Sequence, residues 1–367
     1  MYDYRFRLSL AVFSMALLVP GTAYPGPMFR QVSSTVLKDY SLVSIVYSPD
    51  AKSIYLASGS PFKKGQLFVL DPETLQWQIR YPSTLLSGIS TNKVGDLIVA
   101  VDFLGLVTLY SPASGRVAHQ FEQIHEAGTA LLKAEFAPNG KTLVTGGLDN
   151  QLAIWDVSTG KCRHAVQLSK SGEHWTHYKF AITSESDSVF VNSAGHSVTK
   201  IDLATGKILE EAKPRTKETN NHMLIGLALS PDDKTLALAF HEKDAAYRPA
   251  KPIHRSPVVL VDAKTLKPKL TLGSHPYGGA NHLKFTADGK FLISAGTEDG
   301  YCCIWDLESN KLVASERVVA PIKGSRYFYD IDAMDVSPDG KRMVIVSSLN
   351  STITLWDISK VTGAKDK

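Results

Sequence analysis

A ring of seven four-stranded antiparallel sheets is the all-β fold that this 367-residue sequence predicts. Three observations predict it. A strand ending in Asp and a tight turn recurs seven times along the chain. A second turn of the form Ser-Pro-Asp-Gly-Lys precedes these copies by about 20 residues, and no stretch sustains a helical period. Each unit therefore holds four short strands joined by tight turns. A lone twisted four-stranded sheet leaves both apolar faces in water, so such units become stable only by stacking around a common axis. Seven units of this length and content predict a seven-bladed β-propeller.

The N-terminus comes first. Residues 1–23, MYDYRFRLSLAVFSMALLVPGTA, place Arg5 and Arg7 ahead of an apolar run from Leu8 to Val19, followed by the small residues Gly21 and Ala23. That order predicts a secretory signal peptide cleaved after Ala23. The run is 12 residues long, whereas a helix needs roughly 20 to cross a bilayer. The expected organisation is a signal peptide over 1–23 and a single propeller over 24–367. Such a chain is exported to a periplasm or secreted, without a membrane span. Loss of Asp3, Arg5 and Arg7 leaves a formal net charge of +3, too balanced for a nucleic-acid binder driven by phosphate contacts. Cys162, Cys302 and Cys303 are too few for a disulfide framework. The adjacent pair Cys302 and Cys303 point to opposite faces of a strand.

The repeats run FVLDPETLQ, TLYSPASGR, AIWDVSTGK, TKIDLATGK, VLVDAKTLK, CIWDLESNK and TLWDISK. Their anchors are Asp71, Ser111, Asp156, Asp202, Asp262, Asp306 and Asp357, at spacings of 40, 45, 46, 60, 44 and 51 residues. The preceding turns are SPDAK, APNGK, SPDDK, TADGK and SPDGK, with two degenerate copies, TNKVGD and TSESDS. In the regular copies Pro presets φ, Asp or Asn bonds the nearby backbone, and Gly supplies a positive φ. The flanking segments LLKAEF, IGLALS and AMDVS supply a further strand each.

Trp155-Asp156, Trp305-Asp306 and Trp356-Asp357 carry a Trp-Asp signature, and on it the chain resembles the WD40-repeat β-propellers over residues 31–360. The resemblance implies a buried network of His125, Thr145, Asp149 and Trp155 in the third blade, and of His275, Ser294, Asp299 and Trp305 in the sixth. The other blades depart from it: Tyr110, Leu70, Ile201 and Val261 replace Trp, and Asn350 replaces Asp. The last unit runs out after TLWDISK, while residues 31–39, QVSSTVLKD, form an orphan strand. The resemblance implies that this strand completes the seventh blade, which removes exposed sheet edges.

Catalytic motifs fail. Gly140-Lys141-Thr142 resembles the end of a phosphate-binding loop, but Glu135 stands where that loop needs Gly, and the context is a hairpin. No CxxC, HExxH or dinucleotide fingerprint occurs. The 60-residue spacing contains an insertion, HEKDAAYRPAKPIHRSP, carrying Tyr247, Arg248, His254 and Arg255. Neighbouring inter-strand segments contribute His174, Trp175 and Tyr178, then Tyr277, then Arg326, Tyr327 and Tyr329. Tyr, Trp and Arg are enriched at the centres of interfaces. These residues predict a binding rim across blades four to seven, although aromatic side chains also fill the gaps between blades.

The function expected is a noncatalytic exported scaffold, a monomeric ring that docks another exported protein or peptide, with no cofactor and no metal site. The second reading is an enzyme resembling the propeller lactonases or quinoprotein dehydrogenases, with a metal or quinone at the central opening.

Overall fold

The turns are the most regular part of the molecule, and they explain why diverged repeats fold alike. At the first hairpin of each blade the fourth turn residue lies in the left-handed region. It is Gly95, Gly140, Gly289 or Gly340 where glycine is present. Ala51 (φ 59°), Ser186 (φ 61°) and Asp233 (φ 59°) adopt the same conformation without it. In the seventh blade Ser337 Oγ donates to Asp339 Oδ1 (2.5 Å) and accepts from Arg342 N (2.9 Å), while Asp339 also accepts from Lys341 N (3.0 Å). Such local bonds fix the turn with or without glycine.

These turns join seven four-stranded sheets, each wholly antiparallel. A computed structural model describes residues 28–60, 63–83, 85–126, 128–168, 178–193, 197–220, 222–242, 256–275, 279–296, 300–319 and 331–363. In chain order the innermost strands of blades 1 to 7 are Leu42–Tyr47, Leu86–Thr91, Leu131–Phe136, Phe180–Ile182, His222–Leu229, Ala280–Phe285 and Ala333–Val336. The fold is a seven-bladed β-propeller. Among the described residues helix is confined to single turns at Lys217–Thr219 and Ser359–Thr362.

The outermost strand of blade 7 is N-terminal. Arg30–Val36 pairs antiparallel with Thr352–Asp357, from Arg30 opposite Asp357 to Val36 opposite Thr352. Leu37 N extends the ladder to Ser351 O (2.9 Å), and Arg30 forms an ion pair with Asp357 (2.9 Å). The strand is shorter than the expected 31–39 because the chain turns at Lys38–Asp39, where Tyr40 N donates to Leu37 O (3.0 Å) before blade 1 begins.

Stacking, not any single sheet, makes the interior. Seven separate apolar cores lie one between each pair of neighbouring blades. Blade 1 shares one with blade 7, where Leu42, Ile45, Leu56 and Phe68 meet Val344, Val346, Ile353 and Leu355. Cys302 and Cys303, one residue apart, belong to different cores: Cys302 faces blade 7 and Cys303 faces blade 5. Both are free thiols, as strand alternation requires. Blades approach to backbone contact at Gly59, where a Cβ would stand 1.9 Å from Leu86 O of the next blade. Any side chain there would push the two sheets apart.

In blades 3 and 6 the tryptophans are tied to a polar partner on the second strand. Trp155 Nε1 donates to Thr145 Oγ1 (2.8 Å), and Trp305 Nε1 donates to Ser294 Oγ (2.9 Å). His125 lies 2.8 Å from Thr145 Oγ1 through Nε2 and 2.6 Å from Asp149 Oδ2 through Nδ1. His275 is buried at the end of its strand, and Asp299 is outside the described residues. In blade 7 the residue matching Thr145 is Ile345, so Trp356 turns to its own strand and donates to Thr354 Oγ1 (2.9 Å).

Candidate functional site

The inner strands line a central cavity of about 560 Å³. In blades 1, 2, 3, 5 and 6 each inner strand carries a bulge at the same place, between Leu42 and Ser44, Leu86 and Gly88, Leu131 and Lys133, Leu224 and Gly226, and Ala280 and His282. A bulge re-aims the side chains that follow it. Strand registers then sort the lining into tiers. At the position just after the bulge, or matching it by register in the unbulged blades 4 and 7, stand Lys133, Lys179 and His282 in blades 3, 4 and 6, with only Ser44, Gly88, Gly226 and Ala333 in the other blades. Two residues further along, the next tier holds Glu135, Lys284 and Asp335. The first tier is basic and contains no acid.

The lower tier is paired. Lys284 Nζ donates to Asp335 Oδ1, whose other oxygen accepts from Tyr47 N (2.8 Å), so one carboxylate ties blades 6, 7 and 1 together. Lys133 reaches Glu135 at 2.8 Å, donates to Phe180 O, and sits 4.5 Å over the Phe180 ring. Side chains of the inner strands thus bond the next blade around the channel. Ser87 Oγ donates to Leu131 O, and His282 Nε2 donates to Ile331 O (3.0 Å).

Lys179 differs from the other two lysines. Its backbone N–H is bound by Asn192 Oδ1 (2.7 Å), but its amine has no hydrogen bond or ion pair among the described residues. A minor part of its surface opens on the channel, yet protein atoms surround it closely enough to hydrate the ammonium poorly. Burial, and after it the charge of Lys133, lowers its pKa from 10.5 to about 8. Burial, and after it the charge of Lys179, lowers that of His282 from 6.5 to about 3. With hydrogen on Nε2 for Ile331 O, the neutral His282 ring keeps a lone pair on Nδ1.

Replacing Lys179 by Met should stabilise the ring. The other titratable groups lining the cavity are Lys133 and Glu135 of blade 3, Tyr178 of blade 4, His282 and Lys284 of blade 6, and Asp332 and Asp335 of blade 7. Between about pH 8 and 10.5 the unfolded chain keeps a proton that the folded Lys179 has lost, so wild-type stability rises with pH across that window. Lys179→Met should melt higher than wild type below pH 8, with a gap that closes as pH approaches 10.5. Thermal melts of both proteins at neutral and alkaline pH check this, and a gap that stays constant or widens would contradict it.

Of the residues assigned to the rim, Tyr178 is described, and it is not on the rim. It is 4% exposed, with its ring edge-on to Phe180, and a Cβ at Gly146 would lie 2.0 Å from that ring. It stands just before the inner strand of blade 4 and packs in the apolar core between blades 3 and 4. His174, Trp175, Tyr247, Arg248, His254, Arg255, Tyr277, Arg326, Tyr327 and Tyr329 lie outside the described residues. Sequence reasoning missed two described features: the channel tiers, and three leucines at second-to-third-strand turns. Leu104, Leu148 and Leu349 are 46%, 38% and 45% exposed. The antiparallel strand order puts these turns at the ends of the sheets opposite the first hairpins. Among the described residues no group of His, Cys, Asp or Glu is arranged to hold a metal ion. Among the described residues no helix is long and apolar enough to cross a membrane.

Two comparisons with known families match this architecture. The family described as outer membrane protein assembly factor BamB matches residues 104–265, which span blades 2 to 5. The WD domain, G-beta repeat, matches residues 266–306 and 321–357. The first of these repeats takes the outer strand Pro268–His275 of blade 5 together with the three inner strands of blade 6. That copy is therefore offset from the blade and bridges two sheets. The chain is a seven-bladed β-propeller that carries WD40 repeats over residues 266–306 and 321–357 and resembles the BamB family over residues 104–265. No curated protein matches it.

Proposed function

We propose that this propeller is a noncatalytic interaction scaffold of the cell envelope that docks another exported protein or peptide on the face bearing the second-to-third-strand turns. The observation that carries this reading is the trio Leu104, Leu148 and Leu349, apolar side chains held in water by turns of blades 2, 3 and 7. Seven buried inter-blade cores make the frame beneath them rigid, so the tips are presented at fixed separations. Turn tips held on a rigid scaffold are where binding residues collect. The similarity to an outer membrane protein assembly factor, together with the signal-like residues 1–23, supports export and assembly with other envelope proteins.

The test combines these turns with the rim residues expected from the sequence. Replacing Trp175, Arg248, Tyr277 and Tyr327 by Ala, and separately Leu104, Leu148 and Leu349 by Ser, should abolish co-purification of the partner while the melting temperature stays near wild type. Photo-crosslinkers at positions 104 and 148 should capture that partner, and ones at the opposite hairpins, such as position 233, should not. Undiminished co-purification by both variants, or crosslinking from position 233 alone, would reject the assignment.

A further inference from the structure

The channel tiers leave one charge unaccounted for. Six ionised groups line the cavity: Lys133, Lys179 and Lys284 against Glu135, Asp332 and Asp335. Lys284 is paired with Asp335, and Lys133 with Glu135. Asp332 accepts from the backbone N–H of Ser348, in its own blade. Lys179 alone has no acid and no carbonyl at its amine among the described residues, and it shares its tier with a second lysine and a neutral histidine. An enclosed ammonium without a counter-charge is costly to the fold, and an anion delivered from solution would offset that cost.

The surroundings define the anion. Below the basic tier Glu135 and Asp335 repel a second negative charge, so a dianion such as phosphate meets opposition on one side. Half-buried apolar side chains, among them Val46, Ala181, Leu283 and Met334, line the cavity beside these charges. Lysines supply point charges with free rotation and lack the planar fork by which arginine grips phosphate. The cavity, at about 560 Å³, falls within the range of small-ligand sites.

We propose that the central channel is a binding site for a small organic monocarboxylate, its carboxylate held by Lys179 with Lys133 beside it and its apolar end against the channel wall. Nδ1 of His282, left as an acceptor by the bond from Nε2 to Ile331 O, then favours ligands with a hydroxyl group near the carboxylate. The site is distinct from the docking face and stands whether or not that face binds a partner. The lowered pKa of Lys179 is the signature expected of such an amine before its counter-ion arrives.

The experiment is calorimetric titration of the whole chain with hexanoate, with hexanamide and inorganic phosphate as controls. Hexanoate should bind, and hexanamide should bind about tenfold more weakly or worse, the usual effect of deleting a charge from a hydrogen-bonded pair. Lys179→Met should lose a similar factor, and Lys179→Arg should retain most of the affinity. Equal binding of hexanamide, tighter binding of phosphate, or unchanged affinity in Lys179→Met would overturn the proposal. A second measurement needs no variant. Reductive methylation of the wild-type chain, read by peptide mass spectrometry, should modify Lys179 readily, and saturating hexanoate should protect it while leaving exposed Lys52 unaffected. Modification of Lys179 at the same rate with and without hexanoate would also overturn it.

Discussion

Deletion of residues 29–37 should open the ring and lower the melting temperature by about 10 °C or more. Three losses combine. Phe29, 4% exposed, leaves the core between blades 6 and 7, a truncation of the kind that costs about 3–5 kcal/mol by itself. Val32 and Leu37 leave the core between blades 7 and 1. The ladder from Arg30–Asp357 to Val36–Thr352 disappears, together with the Arg30–Asp357 ion pair. The ion pair adds little, because Arg30 is 70% exposed. The larger consequence is a bare edge on Thr352–Asp357, a template for pairing with another chain. The deleted protein should therefore associate as well as melt early, and a synthetic peptide spanning residues 29–37 should reverse both effects. Light scattering and thermal melts with and without peptide decide it. An unchanged melting curve and a monodisperse monomer would show that the closing strand is dispensable.

The ring was legible because its signals are local and repeated. Asp156 Oδ1 accepts from Ser158 Oγ (2.6 Å) and Thr159 N (3.0 Å), and Asp202 binds Thr205 the same way, so each anchor carries its own turn chemistry in five residues of sequence. These bonds hold the carboxyls of Asp156 and Asp202 below the usual range. Even TSESDS, without Gly or Pro, folds as the others do, because Thr183 Oγ1 reaches Asp187 (2.6 Å) and accepts from Ser188 N (3.0 Å). The channel was not legible. Lys133, Lys179 and His282 come from three repeats, and nothing local marks them as neighbours until the circle closes. The aim of Lys133 and His282 also depends on a bulge in the inner strand, and a one-residue slip sends a side chain to the other face. Tyr178 shows the same limit from the opposite side. Beside Trp175 in the sequence it reads as a rim residue, whereas it packs in the core between two blades.

Truncating the three signature tryptophans should give unequal losses, ordered by burial and bonding, although the dipeptide is identical in all three. Trp155 is fully buried between blades 2 and 3, edge-on to Phe121 at 5.3 Å. Its N–H begins a chain in which every proton has one place. Trp155 Nε1 donates to Thr145 Oγ1, the Thr145 hydroxyl donates to His125 Nε2, and His125 Nδ1–H donates to the Asp149 carboxylate. Trp155→Ala removes the ring and leaves a buried hydroxyl with an unused acceptor site, so about 3–5 kcal/mol is expected. Trp305→Ala should approach that figure, since Trp305 is 2% exposed and bonded to Ser294. Trp356→Ala should cost roughly half as much. Trp356 is only partly buried, and its partner Thr354 belongs to its own strand, so no second strand is left unsatisfied. Trp155→Phe separates the contributions: it keeps most of the volume and should lose about 1–2 kcal/mol through the missing N–H. Denaturant midpoints of the four variants would show the order. A loss at Trp356 equal to that at Trp155 would mean that the signature itself, rather than its place between two blades, sets the energy.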